Sequence, residues 1–330
     1  MVVSDTVTGV RHPLLIGCSG TRGASRLNRQ LPGVFAPRLS FEIPLPHGRS
    51  LSLGSRTLVM GILNVTPDSF ADGGRHFSPG KAVEAALAME EAGADIIDIG
   101  GESTRPGADP LPLEDELARV LPVLEGLQGR LRIPISIDTY KAAVAAAAID
   151  RGAAIVNDIS ALRYDPALAD VVAGRGAALV LMHNRGRSRE MYREARYGSV
   201  AAEVAAELRD RMEAAIAGGV AAEQLILDPG IGFAKQAAHS LQVLADLPAL
   251  GALGRPLLVG PSRKSFLTQA LGDRPPAGRD WGTAAAVAAA VAGGAHIVRV
   301  HAVREMVDVV RTMDAIVRHA GSGSRERSGS

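Results

Sequence analysis

Asp98, Asp138, Asn157 and Asp228 could together read a flat heterocycle. Carboxylates and an amide form paired hydrogen bonds with amidine-like N–H donors. A second set of residues is cationic. Ser262-Arg263-Lys264 places two cations in a row, and Arg105 lies in Gly100-Gly-Glu-Ser-Thr-Arg-Pro-Gly107. Arg299 and His301 are two residues apart, so in a strand their side chains share one face. Such groups suit a phosphate-like anion. Asn64 could lend an amide oxygen to Mg2+, a hard cation that needs few protein ligands beside phosphate oxygens. Each feature also has a plainer reading. A strand-end Asp can simply cap a helix, and Arg299 with His301 could be a strand edge with a buried salt bridge. Asp98 resists the plainer reading, because a charge inside Asp95-Ile-Ile-Asp98-Ile99 is costly unless paired. His183 alone suits a structural role, and no Ser/His/Asp triad or His-based zinc spacing is evident. The Gly-x-Gly of Asp228-Pro-Gly-Ile-Gly-Phe233 is a weak nucleotide signal, since it lacks a third glycine.

These residues follow or close eight short apolar runs: Thr57–Leu63, Asp95–Ile99, Ile133–Ile137, Ala154–Val156, Ala177–Met182, Gln224–Leu227, Pro256–Val259 and His296–Val300. Strands that are apolar throughout suit a parallel sheet covered on both faces. Helical spacing fills the intervals, over 113–127, 141–151, 166–174, 200–218, 238–248 and 283–292. The first helix has Ser78 as N-cap, Pro79 at the first helical position and Gly93 as its stop. In the last helix Met306, Val309, Val310, Met313 and Val317 form an apolar stripe. Eight strand–helix units favour an α/β, (β/α)8 barrel with chemistry at its C-terminal mouth over a doubly wound open sheet. Phosphate sites on that fold commonly lie near the loops after strands seven and eight.

The chain has 330 residues, is 47% hydrophobic but only 3% aromatic, and carries a net charge of +1. A core of Val, Leu, Ile and Ala follows. There is no basic stripe with interleaved aromatics, so a nucleic-acid partner is not expected. No apolar run reaches the roughly 18–20 residues of a membrane span. Cys18 is the single cysteine, which excludes a disulfide framework. A soluble, cytoplasmic protein is expected.

One barrel domain is expected over 51–319, with an extension over 1–50 and a flexible Gly/Ser tail over 320–330. The extension carries Arg11, Arg22, Arg26, Arg29 and Arg38 and few acids. It reads as a disordered arm or a start codon placed too far upstream, with an organellar leader as the alternative.

Taken together, Asn64-Val-Thr-Pro-Asp-Ser-Phe70, Gly100–Gly107, Asp228–Phe233, Ser262-Arg-Lys264 and Arg299-Val-His301 resemble dihydropteroate synthase, from about Leu53 to His319. The resemblance implies a (β/α)8 barrel, usually a homodimer, and a target of sulfonamides. It implies condensation of 6-hydroxymethyl-7,8-dihydropterin diphosphate with 4-aminobenzoate, giving 7,8-dihydropteroate and diphosphate. It assigns the pterin to Asp138, Asn157, Asp228 and Lys264, with Asp98 and Met182 lining that pocket. Diphosphate falls to Arg105, Arg299 and His301, with Mg2+ on Asn64. Aminobenzoate falls to Phe70, Thr104, Pro106, Phe233 and Ser262. The catalytic set is then Asn64, Asp138, Asp228, Lys264, Arg299 and His301.

Those charges suggest a dissociative substitution. Cations stabilise the leaving diphosphate, ionised Asp138 and Asp228 favour a pterin cation, and closure of the loop over 64–74 excludes water. The chain departs from the family pattern at Ala302, Tyr140, Pro261 and the loop after His183. Two other readings share the pterin pocket: a methyltransferase acting on methyltetrahydrofolate, and a catalytically silent paralogue. Lys264, Arg299 and His301 argue against the first, since it has no diphosphate to hold.

Overall fold

A computed structural model describes residues 35–66, 78–103, 109–187, 192–193 and 195–326. The described chain opens with a hairpin of β1 (Phe41–Leu45) and β2 (Arg49–Leu53). Strands and helices then alternate: β3 (Leu58–Asn64), α1 (Pro79–Glu91), β4 (Ile96–Gly100), α2 (Leu113–Leu127), β5 (Ile135–Asp138), α3 (Ala142–Ile149), β6 (Ala153–Asp158) and α4 (Leu168–Arg175). They continue with β7 (Ala178–Met182), α5 (Val200–Ala217), β8 (Leu225–Asp228), α6 (Ala237–Ala245), α7 (Leu247–Leu250), β9 (Leu258–Val259), α8 (Thr268–Leu271), α9 (Asp280–Ala292), β10 (Ile297–Val300) and α10 (Val303–Glu326). The larger sheet is parallel, ordered β8-β7-β6-β5-β4-β3-β10-β9. A parallel bridge from Leu227 to Leu257, with Leu227 N–H donating to Pro256 O at 2.9 Å, joins its ends. This is the expected (β/α)8 barrel.

The strand alternation divides inner from outer faces. Val59, Ile97, Ile137, Val156, Leu179, Leu227 and Val298 face the helices and join one buried cluster with them. Met60, Ile96, Ile155, Val180, Ile226, Leu258 and Ile297 fill the barrel's lower half. Two of the expected apolar runs contain a proline that delays the start of the strand. Pro134 and Pro256 lack a ladder N–H, so β5 and β9 begin after them. Ser78 is the N-cap residue of α1, but its side chain makes no cap hydrogen bond.

Both ends differ from expectation. The hairpin lies largely before residue 51, and its Ile43, Leu45 and Leu53 plug the barrel floor. Residues 35–50 are therefore no loose arm, while 1–34 lie outside the described residues. At the other end α10 continues to Glu326, past the expected start of the tail at 320. Gly321 and Gly323 weaken a helix by about 1 kcal/mol each relative to Ala, yet no proline stops it. Among the described residues, no helix is long and apolar enough to cross a membrane.

Candidate active site

The inward-facing alternation turns polar at the C-terminal ends of the strands. On β4 Ile96 is followed inward by Asp98, on β6 Ile155 by Asn157, on β8 Ile226 by Asp228, and on β10 Ile297 by Arg299. Asp138 closes β5 and lies in register with Gly100 and Asn157. Asp158, next along β6, has the opposite parity. Its carboxylate accepts from Ser160 N–H, Ser160 Oγ and Leu162 N–H, so it shapes a turn.

A pocket of about 290 Å³, counting space open to solvent, is lined by Asp138, Asn157, Met182, Asp228, Phe233, Lys264 and Arg299. Ile159 and Gly260 complete its wall, and neither was singled out in the sequence. Asp98 is not among the lining residues. It is fully buried below them, where Oδ2 accepts from Arg299 Nε at 2.6 Å and Asn157 Nδ2 at 3.0 Å. Arg299 Nη2 also donates to Asp138 Oδ2 at 2.7 Å. The buried salt bridge first set against an anion site is thus present, made to the carboxylates of the pocket. Asp98 Oδ1 and Asp138 Oδ1 are buried with no hydrogen-bond partner among the described residues.

The charges are strongly coupled. Burial raises the Asp138 carboxyl to about 7, against the pull of Arg299 and with Asp98 adding to the rise. Burial also raises Asp228, against Lys264. Lys264 is lowered to about 8 by burial, against the attraction of Asp228. For Arg299, burial opposes the charge, but Asp98 and Asp138 outweigh it and raise the pKa. The pocket therefore holds two cations among carboxylates whose ionisation is easily moved.

The loops divide the remaining candidates. Lys264 Nζ donates to Ile231 O and lies 4.3 Å from the centre of the Phe233 ring. Phe233, expected beside aminobenzoate, thus lines the same pocket as the pterin candidates. Arg263 turns away from the mouth. Its backbone is left-handed at φ 57°, and its guanidinium pairs with Asp280 at 2.7 and 2.8 Å. Only one of the two adjacent cations faces the pocket. Ser262 Oγ and His301 Nδ1 are 2.9 Å apart, so the expected anion histidine and aminobenzoate serine form one unit. Asn64 ends β3 opposite Gly100. Phe70, Thr104, Arg105 and Pro106 lie outside the described residues, as does most of the expected covering loop.

At the rim, Tyr140 Oη hydrogen-bonds Glu102 at 3.0 Å, and Lys141 pairs with Glu102 and Glu116. The unusual Tyr140 thereby ties the loop after β5 to the one after β4. Lys235 went unnoticed in the sequence, where it resembles an ordinary loop lysine. It is fully buried and bonded to His183.

The family described as pterin binding enzyme matches residues 60–301. A dihydropteroate synthase of Synechocystis is 48% identical over 279 residues, covering 84% of this chain and 96% of the relative. The Xanthomonas albilineans dihydropteroate synthase with 4-aminobenzoic acid superposes with a TM-score of 0.77 at 43% identity, covering 83% of this chain and 98% of that one. The same enzyme in complex with 7,8-dihydropteroate gives a TM-score of 0.74 at 41% identity, with the same coverage. With this sequence, this barrel and this pocket, the chain belongs to the dihydropteroate synthase family of pterin binding enzymes.

Proposed function

We infer that the protein condenses 6-hydroxymethyl-7,8-dihydropterin diphosphate with 4-aminobenzoate, releasing 7,8-dihydropteroate and diphosphate. The convergence of Asp138, Asn157, Asp228 and Lys264 in one buried pocket carries this reading. A pterin edge presents amidine N–H donors and ring acceptors, and this set answers both. Met182 supplies an apolar wall. Asp98 works through Asn157 and Arg299, orienting the first and holding the second. Arg105, Arg299 and His301 take the diphosphate, while Phe70, Thr104, Pro106, Phe233 and Ser262 take the aminobenzoate.

The substitution is dissociative. The bond from the exocyclic carbon to oxygen breaks first, and diphosphate leaves with the electron pair. Ionised Asp138 and Asp228 stabilise the positive charge on the pterin in a site of low polarity. The aryl amine then forms the new C–N bond and releases its proton to water. No side chain acts as nucleophile.

Among the described residues, no group of three or more His, Cys, Asp or Glu side chains could hold a metal ion. Asn64 fits Mg2+ only as a partial donor, because that ion retains waters and takes phosphate oxygens readily. Bound there with substrate, Mg2+ would neutralise charge on the departing diphosphate. The protein works in the cytoplasm as a homodimer, a state that sedimentation checks directly.

The deciding assay follows diphosphate release from the pterin diphosphate with and without 4-aminobenzoate. Aminobenzoate-dependent release is expected, and its absence in well-folded protein overturns the reading. Activity lost with chelator and restored by Mg2+ is the expected metal result.

A further inference from the structure

One buried cation has no part in the reaction as described. Lys235 follows the loop Asp228–Phe233, and the whole residue is only 2% exposed. Its Nζ reaches His183 Nδ1 at 2.8 Å, Gly230 O at 3.1 Å and Phe233 O at 3.2 Å. An ammonium has three donors, and here each has an acceptor. Burial, with Lys235 alongside, lowers His183 to about 4, so its imidazole is neutral. Its Nδ1 then accepts from Lys235, which assigns the proton to Nε2, 3.2 Å from the Glu207 carboxylate. Burial also lowers Lys235 to about 7, against the attraction of Asp228.

The other side of the same loop cradles Lys264. Ile231 O accepts from its Nζ, and the Phe233 ring lies beneath it. Two glycines make the close approach possible. A Cβ on Gly230 (φ +66°) would stand 2.0 Å from His183 O, and one on Gly232 (φ +79°) 2.9 Å from Lys264 Cδ. The loop is therefore pressed between His183 and Lys264, with Lys235 pinning two of its carbonyls.

We infer that Lys235 is a positioning residue of the pterin site: it clamps the loop after β8 to His183 and so sets the carbonyl and ring that hold Lys264. This rests on the pterin reading of the pocket. A buried ammonium is a costly way to stabilise a fold, and an apolar side chain of similar volume often serves as well or better. Its use here is explained by the loop carbonyls, which an apolar group could not hold.

Lys235→Met keeps the stem and removes the ammonium. In the full-length protein, with 6-hydroxymethylpterin as calorimetric probe, affinity of the folded variant falls ~10- to 100-fold, the scale of an ångström displacement in a site. Amide exchange at Gly230, Gly232 and Phe233 quickens in the same ligand-free variant. A purely stabilising lysine would lower Tm and leave the affinity of folded protein unchanged. His183→Asn keeps an acceptor near Nδ1 and retains affinity, whereas His183→Leu behaves like Lys235→Met. That pair decides the matter if Lys235→Met does not fold. Wild-type affinity in folded Lys235→Met, or equal affinity in the two His183 variants, overturns the proposal. A wild type that does not bind 6-hydroxymethylpterin sinks the pterin reading instead, and loop exchange still decides the clamp.

Discussion

Two buried arginine–carboxylate clusters lie at opposite ends of this barrel. On the floor side, Arg38 Nη2 donates to Asp314 Oδ1 at 2.6 Å, and Arg38 Nη1 to Thr57 Oγ1 at 2.7 Å. Thr57 N–H and Oγ1 then complete Asp314 at 2.7 and 3.0 Å. In the mouth, Arg299 is shared by Asp98 and Asp138, and each carboxylate keeps one buried oxygen with no partner among the described residues. The chemistry is the same and the completeness differs. A cluster whose acceptors are all used can only hold the chain together. One with unused acceptors is an incomplete network, costly until a ligand supplies the missing donors.

The contrast breaks most visibly at the floor. Asp314→Ala leaves Arg38 buried without its carboxylate and is expected to cost about 3–5 kcal/mol of stability. Denaturant unfolding measures that loss, while kcat/KM of the folded protein stays at wild type. A large kinetic defect would mean that the two ends are coupled. In the mouth the effect is reversed: Lys264→Ala loses at least ~100-fold in kcat/KM, the scale of a preorganised electrostatic contact, with a small change in Tm. Near-normal turnover would remove Lys264 from the role given to it.

A pH profile sharpens the difference further. Asp138 gains its charge as pH rises through about 7, and Lys264 loses its charge as pH rises through about 8. Activity on the pterin diphosphate should therefore rise toward pH 7 and fall beyond 8, by up to ~10-fold per unit on each limb. Asp138→Asn removes the acid limb. Its survival in that variant would assign the titration to another group. The smallest expected effect is at the rim of the mouth. Ser262→Ala removes the contacts of its hydroxyl with His301 Nδ1 and with the His301 backbone N–H, and should cost ~5-fold in kcat/KM, the worth of about 1 kcal/mol.

Much of the mouth was legible because alternation along a strand depends only on the local backbone. Asp98, Asn157, Asp228 and Arg299 could be placed at strand ends from the apolar runs they close or follow, and the strand period put Arg299 and His301 on one face. Asp98 also announced its need for a partner, but the partner lies 201 residues away. Arg263 and Lys264 look interchangeable in the sequence. A left-handed backbone at Arg263 sends it to Asp280 and leaves Lys264 alone over the pocket. The floor hairpin did carry a signal, since Phe41, Ile43 and Leu45 alternate, as do Leu51 and Leu53. The Arg-rich composition upstream obscured it. Lys235 carried no such signal, because burial of one loop lysine depends on the shape of the loop around it.

The sequence by itself determined the number of strand–helix units, the placement of the polar residues at strand ends and the motifs of a pterin binding enzyme. These are local or patterned properties, set by backbone period and side-chain chemistry. Only the tertiary structure decided which charges pair, which acceptors stay open and which cation is turned aside. Those outcomes depend on the curvature of the sheet, which turns the inner faces of β4, β5 and β10 toward one another and buries their polar groups.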